Sequence, residues 1–444
     1  MQYAFVLGRV YTLSLAELLE VLASLDNKIK ILDASLEVLV IEAEKSIDVE
    51  KLQRRLGGII KILKIVETRK KREQDSINFA LQHYFKPSNL KTDFLKNSKG
   101  KIQFGVSVYL LDMNLAKPPQ RFQPGSKPSA PSAFGEPKRI GMFIKRAMQD
   151  SGSSIRLVLP EFNALSLASV SVTKNLLLEK GAEICILAGT TTVYVAKTLQ
   201  VQDFEDYGRR DYQRPVRDEA RGMIPPKVTQ SMLNLARLKP GDVILDPFCG
   251  IGTFLQEGML LDFKVLGTDI DKVAISGAEK NLEWFRNRYK VAKGKYHVEV
   301  SDAKTASKIV ENLKRIGAFK KISAVVTEGT LGPVYSKYPK PNEVQENFQH
   351  LSSLHADSFA DFSKLLESKS RIVMCLPAYK KTYTEYEMFP TLDFASKNGY
   401  TMVDIIPPSI TGKFNFLKLT NRGTVIYDRK DQIVAREIVV FEKN

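Results

Sequence analysis

Residues 243–260 read VILDPFCGIGTFLQEGML, and this stretch decides the fold. A short apolar run closes on Asp246, a turn built on Gly250 and Gly252 follows, and an apolar-periodic segment opens at Thr253. That is a strand, a tight glycine turn and a helix. Four similar apolar runs follow at VLGTD (265–269), YHVEV (296–300), ISAVV (322–326) and RIVMCL (371–376), separated by helical stretches. Strands alternating with helices imply crossover connections and a mainly parallel sheet covered on both faces. In such a sheet ligands settle outside the carboxyl ends of the strands, so the turn at 247–252 is the first place to seek chemistry. A dinucleotide site would need a third glycine and a phosphate loop would need a lysine, and this turn has neither.

The turn resembles motif I of the Rossmann-like S-adenosylmethionine-dependent methyltransferases, in the Asp-Pro-Phe-Cys-Gly-x-Gly-Thr form of nucleic-acid amino-methyltransferases. The resemblance implies S-adenosylmethionine as cofactor, held by Asp246, Pro247, Phe248, Cys249, Gly250, Gly252 and Thr253. Two later strand ends carry matching chemistry. Asp269 offers a carboxylate to two ribose hydroxyls, with Ile270 as an apolar face for adenine, and Asp302-Ala303 offers an acceptor for the adenine amine. Ordinary acidic turns are the alternative reading, more for Asp302 alone than for three strand ends in order.

After the fourth strand, amino-methyltransferases place Asp-Pro-Pro-aromatic, whereas this chain reads Thr327-Glu328-Gly329-Thr330-Leu331. Glu328 takes the acidic place, and with Thr330 forms the candidate catalytic pair; Tyr335 or Tyr338 would supply a stacking face for a base held out of its stack. The missing prolines equally allow a silent site. Cys249 and Cys375 read as small buried residues rather than nucleophiles. His83, His297, His350 and His355 form no metal-ligand spacing, and no metal is expected.

The 444 residues suggest two to four domains. Three cysteines without a Cys-x-x-Cys pair exclude a disulfide scaffold, and the expected location is the cytoplasm. Neither a signal peptide nor an apolar run of membrane-spanning length is expected. The net charge is +16, and residues 51–150 concentrate it, with 21 Lys/Arg against seven Asp/Glu. Clustered cations favour a polyanion, nucleic acid first, although a solvated basic surface would look the same. The proline-rich stretch 117–138 reads as a mobile basic loop, and Val201–Arg221, dense in charge and tyrosine, as a domain connection. Ser14 with Glu17 reads as a helix-opening box, and 164–180 as one long helix.

The whole chain resembles the THUMP-containing tRNA guanosine-N2-methyltransferases of archaea and eukaryotes. YAFVLGRVYTLSLAELLEVL (3–22) is similar to their ferredoxin-like start, and FGVSVYLLD, GMFIKRAMQDSG, IRLVLP and ALSLASVSVTKNLLLEKGAEICI to a THUMP domain. RRDYQRPVRDEARGMIPPKVTQSMLNLA (209–236) is similar to the segment leading into their methyltransferase domain, and IYDRKDQIVAREIVVFEK (426–443) to their closing hairpin. The resemblance implies an α/β chain: ferredoxin-like 1–78, THUMP 79–198, linker 199–222 and a Rossmann-like methyltransferase domain 223–444. It also implies that THUMP grips the acceptor end of tRNA while the catalytic domain methylates the N2 amine of a guanosine, most often at position ten. Lys70, Lys71, Arg72, Arg139, Lys145 and Arg146 are the candidate phosphate contacts, each with a solvated helix face as its plain alternative. Arg209, Arg210 and Arg217 read either as an RNA clamp or as interdomain salt-bridge partners. A DNA amino-methyltransferase and a catalytically silent RNA-binding protein stay open as alternatives, as do a monomer and dependence on a small activating protein.

Overall fold

The computed structural model describes residues 1–72, 77–95, 102–111, 136–218, 223–318, 321–382, 385–429 and 432–444. Most of the proline-rich stretch lies outside them. The described chain forms two compact units.

The first unit, Met1–Tyr11, Leu25–Arg54 and Ile59–Phe204, is built on one eight-stranded sheet. Its strands are β1 (Gln2–Leu7), β2 (Ile29–Ala34), β3 (Val38–Ala43), β4 (Ile59–Lys70), β5 (Ile102–Leu110), β6 (Ile155–Val158), β7 (Gly181–Ala188) and β8 (Thr192–Val201), in the order β2-β3-β1-β4-β8-β7-β5-β6. Only β5 with β6 and β7 pairs in parallel; the other pairs are antiparallel. The sheet therefore runs without a break through the ferredoxin-like and THUMP-like stretches. Helices α2 (Val49–Arg55), α3 (Ile77–Leu81), α4 (Pro87–Asp93), α5 (Glu136–Asp150) and α6 (Ser169–Lys174) connect it. Strand β7 is buried along its whole length. Its alternate residues feed two cores: Ile184 and Ile186 pack with α3–α5, and Cys185 and Leu187 with Val38, Val40 and Tyr194. On α5 the buried residues Ile140, Ile144 and Met148 recur at helical spacing, so Lys138, Arg139 and Arg146 are left to solvent. The long helix expected at 164–180 is only the six residues of α6, because three of these, Val170, Val172 and Thr173, are β-branched and Leu176 just beyond turns at φ 52°.

The second unit comprises Thr12–Ser24, Arg55–Gly58 and Glu205–Asn444. Strands β9 (Val243–Asp246), β10 (Lys264–Asp269), β11 (Tyr296–Val300), β12 (Ala324–Thr327), β13 (Arg371–Lys380), β14 (Tyr386–Met388), β15 (Tyr400–Met402), β16 (Val425–Tyr427) and β17 (Val434–Lys443) form one sheet. Its order is β11-β10-β9-β12-β13-β17-β15, with β14 on β13 and β16 on β17. β9 to β13 are parallel, and β17 enters antiparallel beside β13. The chain leaves β9 toward β10 and β11, then returns to its other side at β12. That reversal opens a crevice at the carboxyl ends of β9, β10 and β12. The helices α8 (Pro226–Leu235), α9 (Thr253–Leu260), α10 (Lys272–Tyr289), α11 (Ala306–Arg315) and α12 (Pro341–Phe362) flank the sheet, and Leu245, Val325, Phe348, Phe359 and Phe441 are among its core.

Two expectations are corrected in this unit. Helix α1 (Tyr11–Ala23) starts three residues before Ser14, so Glu17 is not a box residue. Glu17 is wholly buried and accepts from Gly57 N (2.8 Å), Gly58 N (2.7 Å), Ser231 Oγ (2.9 Å) and Asn234 Nδ2 (2.7 Å). Burial raises its carboxyl group's pKa, and these four donors pull against that rise. Residues 201–221 are also more than a connection: they contain α7 (Phe204–Tyr212), whose Arg210 is 2% exposed. Its Nε reaches Glu257 on α9 at 2.8 Å, its Nη1 pairs with Asp206, and the phenol of Tyr289 donates to the same Asp206 at 2.7 Å. Arg210 therefore braces α9 from inside and is not presented to RNA.

Candidate active site

The crevice begins with the turn after β9. Cys249 N donates to Thr268 O (3.0 Å), Gly252 N to Cys249 O (2.8 Å), and α9 starts after Gly252 at φ 88°. Gly250 sits at φ 50°, and a side chain there would point into open space, which leaves the backbone bare toward the crevice. Asp246 is 1% exposed and caps this turn by accepting from Phe248 N at 3.2 Å. Burial pushes its carboxyl group up to about 7; Thr327 and Phe248 donate against that shift, while the negative fields of Asp269 and Glu328 add to it.

Asp269 ends β10. Its Oδ2 accepts from Gly250 N and its Oδ1 from Asp271 N, both at 2.9 Å, so the second lone pair of each oxygen is left for a ligand hydroxyl. Ile270 beside it is 72% exposed, an apolar face at the mouth of the crevice. Asp302 accepts from Lys304 N at 2.9 Å and starts a short 3-10 turn in which Ala303 is buried. The bare turn, a carboxylate with spare lone pairs and an exposed aliphatic face fit an adenosyl group. Thr253 Oγ1 accepts from Nη1 of Arg214 at 2.8 Å, and Arg214 is 3% exposed. Sequence reasoning missed that contact, since the connection showed no apolar periodicity.

The loop after β12 completes the crevice. Glu328 Oε1 accepts from Nε of Arg436, and Arg436 Nη1 donates to Gln432 Oε1 at 2.8 Å. Arg436 is 3% exposed on β17, opposite Pro377 of β13. Thr330 Oγ1 accepts from Gly332 N at 3.4 Å and so shapes the loop. Asn347 on α12 donates to Leu331 O (3.1 Å) and to the Tyr379 hydroxyl (2.7 Å), and Tyr335 packs edge-on against Tyr379 at 5.9 Å. Gly332 is at φ 93°, and a Cβ there would fall 2.2 Å from Asn347 Oδ1, so only glycine closes this turn. Tyr338 is 42% exposed and its hydroxyl lies 3.4 Å from Glu387. Arg436 was missed as well. Its signal was a charged pair, Arg436-Glu437, in an otherwise apolar run. Cys249 and Cys375 are buried, and burial pushes both thiols up.

The candidate phosphate contacts lie in the first unit and fall into two groups. Lys70 ends β4, where its Nζ donates to Thr192 Oγ1 at 3.0 Å, and Lys71 and Arg72 follow the strand. Arg139, Lys145 and Arg146 lie on α5, which packs on β5 and β6; Arg139 pairs with Glu136, Lys145 is half-buried and Arg146 exposed. β8 and β7 stand between β4 and β5, so those two strands are on the order of 14 Å apart. Arg209 pairs with Glu205 and Asp206, and Arg217 stacks on Tyr212 at 5.3 Å. Among the described residues no group of three His, Cys, Asp or Glu could hold a metal, and no helix is long and apolar enough to cross a membrane.

Comparison with known proteins agrees with this geometry. The chain is 36% identical over 146 residues to a tRNA (guanine(10)-N2)-dimethyltransferase of Methanocaldococcus jannaschii, covering 32% of this chain and 38% of that one. It is 31% identical over 185 residues to the tRNA (guanine(10)-N(2))-methyltransferase TRMT11 of Xenopus laevis, covering 36% and 37%. The chain thus spans less than two fifths of the length of these curated relatives. In fold it is similar over the full length of both chains to TrmN of Thermus thermophilus, with a TM-score of 0.51 at 13% identity. Residues 214–403, which hold the whole crevice apart from Arg436 and its strand, match the family model of the RMKL-like methyltransferase domain.

Proposed function

We propose that this chain is an S-adenosylmethionine-dependent tRNA methyltransferase that acts in the cytoplasm on the exocyclic N2 amine of a guanosine, at position ten. The observation that carries the reading is the meeting of Asp246, Asp269 and Glu328 at the carboxyl ends of three adjacent parallel strands around a bare glycine turn. The substrate class follows from the relatives, whose names specify that amine. Residues 79–198 serve as the THUMP domain that takes the acceptor end of the tRNA, after a ferredoxin-like segment 1–78; 199–222 lead into the catalytic domain, 223–444.

In this reading Asp269 holds the ribose, Ile270 lies against adenine, Asp302 with Ala303 takes the adenine amine, and Asp246, Pro247, Phe248, Cys249, Gly250, Gly252 and Thr253 shape the turn. Bound there, S-adenosylmethionine would supply a sulfonium methyl for transfer, and the N2 nitrogen that takes the methyl has one proton to give up. The amine lone pair of guanine is delocalised into the ring. Glu328 counters that by accepting a hydrogen bond from an N2–H, which leaves electron density on nitrogen and an acceptor beside the departing proton. Thr330 shapes the loop that carries Glu328, and Tyr335, backed by Tyr379, offers the extruded base an aromatic wall. Lys70, Lys71, Arg72, Arg139, Lys145 and Arg146 contact the tRNA backbone.

The test is transfer of labelled methyl from S-adenosylmethionine to an unmodified tRNA transcript, with duplex DNA as control and nucleoside analysis of the product. N2-methylguanosine in the tRNA and none in DNA is the expected result. Methylated DNA, or cofactor binding without transfer to tRNA, overturns the proposal.

A further inference from the structure

We infer that Arg436 is a positioning residue: it fixes Glu328 as an acceptor-only group and so makes the slot after β12 select a base edge with two adjacent donors, the N1–H and N2–H of guanine. The inference rests on the reading above and adds to it the means by which the base is chosen.

Glu328 is anchored twice. Its side chain is paired through Oε1 with a guanidinium that is itself 3% exposed, carried on β17 and braced by Gln432. Its loop is tied down by Asn347 at Leu331 O and closed by the tight contact of Gly332 with the same asparagine. The Glu328 side chain is still 20% exposed, and its negative field reaches Asp246 beside the glycine turn, so it stays on the crevice side while it is held. A carboxylate in an ion pair donates nothing, and each of its oxygens still has a lone pair to offer.

The three amine-bearing bases differ beside the amine. In adenine N6 adjoins the N1 lone pair, and in cytosine N4 adjoins the N3 lone pair. In guanine N2 adjoins N1–H. A fixed carboxylate meets two donors on the guanine edge and one donor plus one lone pair on the others. The second arrangement loses a hydrogen bond and sets like charges together, and a site built around a substrate N–H rejects an analogue that lacks it far more strongly than a pocket rejects a misfit of shape. Arg436 has a role in this only through Glu328, which separates it from residues that touch cofactor or base.

The base 2,6-diaminopurine tests this directly, because it keeps the N2 amine but presents a lone pair at N1. The full chain is assayed on two tRNA transcripts that differ only in carrying guanosine or 2,6-diaminopurine at the methylated position. The wild type should favour guanosine in kcat/KM by about a hundredfold or more. Glu328→Gln should slow guanosine and bring the ratio within about tenfold, since a carboxamide can accept from N2–H while donating to N1. Arg436→Lys should keep the preference and Arg436→Met should lose it, with calorimetric affinity for S-adenosylmethionine unchanged in both. If Arg436→Met does not fold, Glu328→Gln and Arg436→Lys decide the matter. Equal use of both transcripts by the wild type, or a ratio unmoved by Glu328→Gln, overturns the inference and leaves the proposed activity standing. Failure to methylate the guanosine transcript overturns both.

Discussion

A cluster in the first unit and a cluster in the second hold charge in opposite ways. In the first, Lys61 on β4 and Glu183 on β7 are 1% and 0% exposed, and they form a closed set. Lys61 Nζ donates to Glu183 Oε1 (2.5 Å) and Leu167 O (2.7 Å), while Ser107 and Thr198 donate to the same carboxylate at 2.5 and 2.6 Å. One positive charge meets one negative, with the carboxylate fully surrounded. In the second unit, Asp246, Asp269 and Glu328 gather at strand ends around the glycine turn, Arg436 pairs with Glu328, and Asp246 is pushed up to about 7. A neutral, closed set holds a sheet in register. A cluster with excess charge at strand ends is waiting for something to bind, and that contrast separates structural polarity from chemistry here.

The largest expected effect falls on the closed set. Lys61→Met leaves Glu183 buried without its cation and should cost about 3–5 kcal/mol, read as a fall in the melting temperature of the first unit; a change under about 1 kcal/mol would erase the contrast. Next is Asp246. Its folded pKa is above its unfolded one, so its contribution to stability is fully present below about 4 and is lost as pH rises through about 7. Asp246→Asn removes that loss, so the variant should gain on the wild type between pH 4 and 8 by as much as a few kcal/mol. Parallel melting curves of the two proteins across that range would contradict it.

Gly250→Val puts a β-branched residue at φ 50° in the bare turn and should weaken S-adenosylmethionine binding on the order of a hundredfold, about 2.7 kcal/mol, by calorimetry. Glu328→Gln should lower kcat for methyl transfer to tRNA roughly a hundredfold with cofactor affinity unchanged, and full activity would remove Glu328 from the mechanism. The smallest effect is on the α5 surface: Arg146→Ala should lower tRNA affinity a few-fold and reduce the salt slope of binding by about one, and an unchanged slope would take that residue off the RNA path.

The strand-turn-helix at 243–260 was legible because the features that announce it are local, although Thr268, Asp269 and Arg214 also bond to it. The apolar run, the left-handed glycine and the hydrogen bond from Gly252 N to Cys249 O all lie within a few residues. Asp269 and Asp302 were legible for the same reason, as strand ends in order. The segment 201–221 was not, because Arg210 and Arg214 are buried by salt bridges and hydrogen bonds to α9 rather than by an apolar stripe, and no periodicity announces that. The N-terminal helix was misplaced at its start because Glu17 bonds not to its own first turn but to Gly57, Gly58, Ser231 and Asn234.

By itself, then, the amino-acid order determined the alternating α/β frame, the glycine turn and the acidic strand ends, since φ/ψ preference and apolar period act over a few residues. The tertiary structure alone decided what Glu328 can do. Its partner Arg436 is 108 positions away and is delivered by an antiparallel strand inserted beside β13, a pairing set by the register of the whole sheet rather than by any neighbour in the chain.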